Sequence, residues 1–293
     1  MTKTLTPAVN AERKLIQSDG HDISYYVAGT GDPVLLVHSI NAAASVFEVK
    51  PVFEALAADY QVYAPDLPGF GFSDRSDRRY SIDLYTQAIS DMLETIGGDK
   101  PVHVLGLSLS SEFVARQASR SPERIRSLAL VSPTGFDRGA NRLRSDEGVT
   151  RENTIAAGLT GIPGLRSGLF GLLVRPGSVR YFLKRTFGSN TVDEALTRYC
   201  ILTAAQPGAM YAPLAFISGR LFSRDIRTVY ESLQMPVWLG HGIRGDFQDY
   251  SETAWTETRP NWTVREFNTG AIPYFEDPSR FLTEYRRFLA GVD

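Results

Sequence analysis

The chain has 293 residues, a formal net charge of −2, 43% apolar and 22% charged residues, four histidines and one cysteine. That length accommodates one large α/β domain or a core domain plus an insertion, and the composition is ordinary for a soluble globular protein. The near-balanced charge excludes a broad basic field for nucleic acid or an anionic membrane, and Cys200 alone excludes an internal disulfide.

Residues 1–10 are polar and read as a loose segment without the apolar core of a signal peptide. Residues 15–28, with the turn Asp19-Gly20, read as an antiparallel hairpin. The runs 33–37, 62–64, 102–105, 128–131 and 237–239 are short and apolar throughout, and they end in Gly, Pro, Asp or Ser. Such runs suit strands of a parallel sheet covered on both faces. Ile82, Tyr85, Ile89, Met92, Leu93 and Ile96 recur at helical spacing, with Ser81 placed to cap the start and Gly97-Gly98 to close the end. Phe281, Leu282, Tyr285, Phe288 and Leu289 make a last amphipathic helix. The order predicts a doubly wound, mostly parallel α/β sheet with a core over 11–135 and 229–293.

Residues 136–228 break the alternation and show no strand run. A break this long is too large for an ordinary loop, so it is expected to be a helical cap or lid. Its apolar residues, among them Leu165, Leu169, Phe170, Leu172, Leu173, Tyr181 and Phe182, must mostly pack the cap onto the core, and some would line a pocket. Arg144, Arg166, Arg175 and Arg180 read as a solvated face. No run approaches the about eighteen apolar residues of a membrane span, and there is no metal-ligand cluster. The expectations are a cytoplasmic protein, no cofactor or metal, no nucleic acid, and a small apolar ligand or substrate, with association into a homodimer left open.

The strongest local signal is VHVLGLSLSS over 102–111. A buried strand runs into Gly106-Leu107-Ser108-Leu109-Ser110, and a helix follows with Phe113, Val114 and Ala118 on one face. Strand, tight turn and helix are the setting of a nucleophile elbow, which lifts the central side chain above the sheet edge over a helix N-terminus. A serine that merely caps the helix would give a similar pattern.

With these elements the chain resembles the α/β-hydrolase family over nearly its whole length. His38-Ser39-Ile40-Asn41 resembles the family's oxyanion loop, and residues 66–73, DLPGFGFS, resemble its D-x-P-G-x-G-x-S loop. The resemblance places Ser108 on the nucleophile and Asp246, in HGIRGD, on the acid. It also assigns the oxyanion hole to the backbone N–H groups of Leu109 and Ile40. Gly270, Pro273, Glu276 and Pro278 keep the frame of the loop that carries the family's histidine, but Ala271 occupies the histidine position. A serine hydroxyl needs a base within hydrogen-bond reach, and the base needs an orienting carboxylate. Of the four histidines, His21 reads as solvated and His103 as a core residue. His241 lies two strands from Ser108, roughly 10 Å away. His38, on the neighbouring strand, is the best-placed substitute.

Ser39 and Ser110 also stand where the family has glycine. Three departures around one cavity suit a reassigned site, and the two added hydroxyls suit hydrogen bonding to a ligand. His38, Ser39, Asn41, Ser110, Ala271 and Tyr274 are therefore the expected pocket residues. The expected function is action on a small-to-medium apolar ester or carbonyl compound through Ser108 and an oxyanion hole. The chemistry would be slow hydrolysis, or a cyclisation, elimination or isomerisation. The alternatives are a non-catalytic ligand-binding protein, a partner-binding protein that associates through its cap, and a serine hydrolase with His38 as base.

Overall fold

A computed structural model describes residues 4–98, 100–138, 153, 158 and 162–292. The first two strands, β1 (Glu12–Ser18) and β2 (His21–Ala28), pair antiparallel with Ser18 opposite His21. Asp19 and Gly20 both have positive φ, 50° and 74°, as a two-residue hairpin turn of matching twist requires. Strand β2 joins β4 (Gln61–Pro65) antiparallel. From there the sheet is parallel through β3 (Pro33–Val37), β5 (Val102–Leu107), β6 (Ile125–Val131), β7 (Val237–Gly242) and β8 (Trp262–Phe267). The order across the sheet is β1-β2-β4-β3-β5-β6-β7-β8.

All residues of β3, β5 and β7 are buried, which is why their sequences are apolar without alternation. Period-two geometry divides β3 between two cores. Leu35 and Val37 face α2 (Ile82–Gly97) and α3 (Ser110–Arg120). Val34 and Leu36 face α1 (Lys50–Leu56) and the C-terminal helix. Ser81 caps α2 by accepting the Leu84 N–H at 3.2 Å. Strand β8 has no apolar run, because Thr263, Arg265 and Glu266 lie on the partly exposed edge of the sheet.

Between β6 and β7 the described residues form helices and no strand. These are α4 (Pro163–Leu173), α5 (Pro176–Phe187), α6 (Glu194–Ala204), α7 (Tyr211–Ile217) and α8 (Ile226–Ser232). Arg144 lies outside the described residues. After β8 come α9 (Pro273–Glu276) and α10 (Pro278–Ala290), whose Phe281, Tyr285 and Leu289 are fully buried. The carboxyl ends of β3, β5 and β7 open towards α5–α7, and the candidate site lies there.

Candidate active site

Ser108 follows β5 with φ of 55°, a left-handed conformation that a non-glycine residue adopts only when its surroundings enforce it. Two features enforce it. The Ser108 N–H donates to Val131 O of β6 at 2.8 Å. The turn is also so tight that a Cβ on Gly106 would lie 2.6 Å from Val114 Cγ2 and 3.1 Å from Ser111 Cα. Ser108 is half-buried, and its hydroxyl makes no hydrogen bond among the described residues. The N–H groups of Leu109 and Ile40 are likewise without an acceptor among the described residues, although both residues are buried. Paired donors are the rule in a protein interior, so these two N–H groups keep the capacity for a further acceptor.

The loop that carries Ile40 is held from both sides. His38 is fully buried, accepts the Leu67 N–H on Nε2 at 3.0 Å, and donates from Nδ1 to Ser39 O at 2.6 Å. Burial pushes its pKa down to about 4, so the ring is neutral and both nitrogens are occupied by the backbone. On the other side lies Glu48, 4% exposed. Its Oε2 accepts the Ser39 N–H at 3.0 Å and the Ser39 hydroxyl at 2.8 Å, and its Oε1 accepts Asn41 Nδ2 at 2.6 Å. Burial raises the Glu48 pKa, and the donors from Ser39 and Asn41 oppose that rise.

A cavity of about 330 Å³ opens above these groups. Ser39, Ile40, Asn41, Glu48, Ser108, Leu109, Asp246 and Ala271 line it, and Leu173, Val179, Phe182, Leu183, Cys200 and Phe216 close it with apolar surface. His38, Ser110 and Tyr274 are not among its walls. Ser110 is fully buried and its hydroxyl donates to His38 O at 2.5 Å. The first turn of α3 therefore directs this side chain into the core. Tyr274 is buried against Phe281, with ring centroids 5.0 Å apart. The Ser39 hydroxyl is spent on Glu48. Neither added hydroxyl is thus free for a ligand, contrary to the expectation from sequence.

The opposite rim is joined to the end of α5. The last carbonyls of a helix lack internal partners. Here Arg185 O accepts the Asp246 N–H at 3.0 Å and Thr186 O accepts the Ala271 N–H at 2.9 Å. The contact is backbone to backbone: a Cβ on Gly270 would lie 2.3 Å from Phe187 Cα, and one on Gly245 would lie 2.4 Å from Arg185 O. The Asp246 carboxylate pairs with Arg185 Nε, and Arg185 also donates to Tyr181 Oη at 3.0 Å. Glu276 supports the loop by accepting the Gly270 N–H at 2.5 Å.

No histidine reaches this rim. His241 stacks on Tyr250 at 3.9 Å between centroids, His103 binds Ser127 Oγ at 2.7 Å inside the sheet, and His21 lies 3.4 Å from Asp74 at the hairpin. Arg166 and Arg180 pair with Asp77 and Glu194 on the surface. Sequence reasoning missed Glu48 and Arg185. The signal for Glu48 was a lone acid inside the apolar run Val46-Phe47-Glu48-Val49. Arg185 left no comparable signal, because its partner is 61 positions away. Among the described residues there is no cluster able to hold a metal ion, and no helix long and apolar enough to cross a membrane.

Comparison with known proteins agrees with this architecture. Residues 32–166 match the family model described as the alpha/beta hydrolase fold. The chain is 28% identical over 130 residues to the 2-hydroxy-6-oxo-2,4-heptadienoate hydrolase of Pseudomonas putida, covering 43% of this chain and 47% of that protein. It is 26% identical over 281 residues to human 1-acylglycerol-3-phosphate O-acyltransferase ABHD5, covering 89% of this chain and 78% of that one. An uncharacterised protein of Mycobacterium tuberculosis is 30% identical over 122 residues, and the chain spans only 35% of its length. Among solved structures, a meta-cleavage product hydrolase from Pseudomonas fluorescens superposes with a TM-score of 0.73 at 22% identity, covering 96% of this chain and 98% of that one.

Proposed function

Taking the α/β-hydrolase fold as the premise, we propose that this protein acts on a small-to-medium apolar ester or carbonyl compound. The carbonyl oxygen would lie between the N–H groups of Ile40 and Leu109, beside Ser108. The helices of 136–228 serve as a cap whose apolar side chains cover the ligand. A hydrolase and an acyltransferase among the relatives both act on carbonyl compounds by their names, which supports the substrate class.

The reaction proceeds without an imidazole at the usual place. The observation that carries this reading is the combination at one rim: Ala271 stands at the base position and Asp246 is paired with Arg185. Ser108 Oγ has no hydrogen-bond partner among the described residues. A hydroxyl with no base is a poor nucleophile at neutral pH. His38 as a relocated base is disfavoured, because its Nε2 lone pair already holds the Leu67 N–H. Ordinary serine hydrolysis is therefore slow, and chemistry that builds enolate-like charge on a carbonyl suits the site better.

The test is hydrolysis of 4-nitrophenyl butyrate by wild type and Ser108→Ala. A working triad loses about a million-fold in kcat with its serine; here the expected loss is below about ten-fold. Wild-type turnover at the level of an ordinary serine hydrolase, abolished in Ser108→Ala, contradicts the reading.

A further inference from the structure

We propose that Glu48 is the acid–base group of this pocket, taking a proton from the carbon next to the carbonyl that Ile40 and Leu109 hold. The inference rests on the carbonyl-binding reading above and names the residue and the reaction class that complete it.

Two carboxylates line the cavity, and their surroundings differ. Asp246 is about 40% exposed and carries an arginine. Glu48 is 4% exposed and forms no ion pair among the described residues. Burying a charge without a counter-ion is costly unless hydrogen bonds replace the lost water. A carboxylate offers about four lone-pair sites. Ser39 fills two on Oε2 and Asn41 fills one on Oε1. The remaining site is on Oε1. The group lies next to the candidate hole, since the N–H it accepts belongs to Ser39, the residue before Ile40.

The charge balance also selects the reaction. The ionised form of Glu48 beside the hole opposes a second negative charge on a bound oxygen, as attack by a serine alkoxide would require. Proton abstraction adds none. The C–H proton moves to Glu48 Oε1, and the C–H electron pair enters the carbonyl system. The charge leaves the carboxylate and settles on the oxygen held by the two N–H groups. Return of the proton to the same carbon gives exchange, and return to a carbon further along a conjugated chain gives isomerisation. No bond to Ser108 forms and no co-reactant is consumed. The titratable groups that sense Glu48 are the Cys200 thiol of α6 and the Tyr274 phenol of α9. Burial raises both, so they stay neutral while Glu48 ionises.

The probe is 2-tetralone, an apolar ketone with acidic α-hydrogens. Its binding is followed by NMR line broadening, and its α-C–H loss is followed in deuterated buffer. Wild type should accelerate exchange over buffer by about a hundred-fold or more, the scale of a positioned general base. The rate should rise with one ionisation above the ordinary carboxylate range. Glu48→Gln should lose the acceleration, and Glu48→Asp should retain a small part of it. Binding without accelerated exchange, or acceleration that survives in Glu48→Gln, overturns the role of Glu48 and leaves the carbonyl site standing. Failure of the ketone to bind removes both. If Glu48→Gln does not fold, the wild-type profile decides: a rate that shows no rise with an ionisation above the ordinary carboxylate range overturns the proposal.

Discussion

On the β3–β5 side of the pocket stand a left-handed Ser108, a glycine packed under it and two N–H groups without an acceptor among the described residues. On the β7–β8 side, Asp246 is paired with Arg185, and the loops that carry Asp246 and Ala271 are both joined to the end of α5. The two sides differ in what fixes them. The first is fixed by backbone packing that the sheet itself needs, since Gly106 and Ser108 shape the join of β5 to α3. In the function proposed above, the first is the retained side, and the second is the rebuilt side, where an imidazole would contribute chemistry but little packing. A fold can release the second kind of feature and keep the first.

The largest expected effect breaks the rebuilt side. In Gly270→Ala the new Cβ would lie 2.3 Å from Phe187 Cα and 2.5 Å from Thr186 O, and both are backbone atoms that cannot step aside. A loss of about 3 kcal/mol or more is expected in urea unfolding. Gly106→Ala should lose less, because its nearest obstacle at 2.6 Å is a side-chain methyl of Val114. The reverse order would show that α5 is only loosely seated on the loops.

The next prediction tests the retained side through pH. Burial holds His38 down at about 4, so the folded state resists the proton that the unfolded chain takes up below about pH 6.5. Stability from this group is complete above that pH and falls as pH drops towards 4, by about 3 kcal/mol in full. Asp66, pushed up to about 6 by burial, works the other way, because the folded state holds its proton more tightly. Its share rises as pH falls through the same window. Wild type should therefore change little between pH 7 and 4.5, while Asp66→Asn should expose the histidine loss and weaken by about 2 kcal/mol more. Equal slopes for the two proteins would show that burial does not raise Asp66, and a flat profile for Asp66→Asn would show that His38 is not held neutral by its burial.

The smallest expected effect concerns the ion pair. The side chains of Arg185 and Asp246 are 50% and 40% exposed, so Arg185→Leu should leave the urea unfolding midpoint close to that of wild type. A large drop in the midpoint would mean that the pair, rather than the backbone contacts of 185–188, holds the rebuilt side together.

The sequence made the retained side more legible than the rebuilt one, for a physical reason. The strands β3, β5 and β7 are buried on both faces, so their apolar runs stand out, and the elbow and the loop of 66–73 are local patterns. Strand β8 escaped notice because an edge strand needs few apolar residues. The expectation at Ala271 came from the local frame of Gly270, Pro273 and Glu276. The partner of Asp246 was not legible, because Arg185 reaches it only through the packing of α5. Ser110 was misjudged because the spacing does not say which way the first turn of α3 directs a hydroxyl.

The proposed function implies a β7–β8 side at which an imidazole would no longer complete the site. The direct measurement is kcat/KM for 4-nitrophenyl butyrate in Ala271→His, alone and with Arg185→Leu to free Asp246, against wild type. The expected gain is below about ten-fold in both, because Glu48, in the role proposed above, sets the charge beside the N–H groups. A gain above roughly a thousand-fold, the scale of a restored base, would show a serine hydrolase that has merely lost its histidine and would contradict the account.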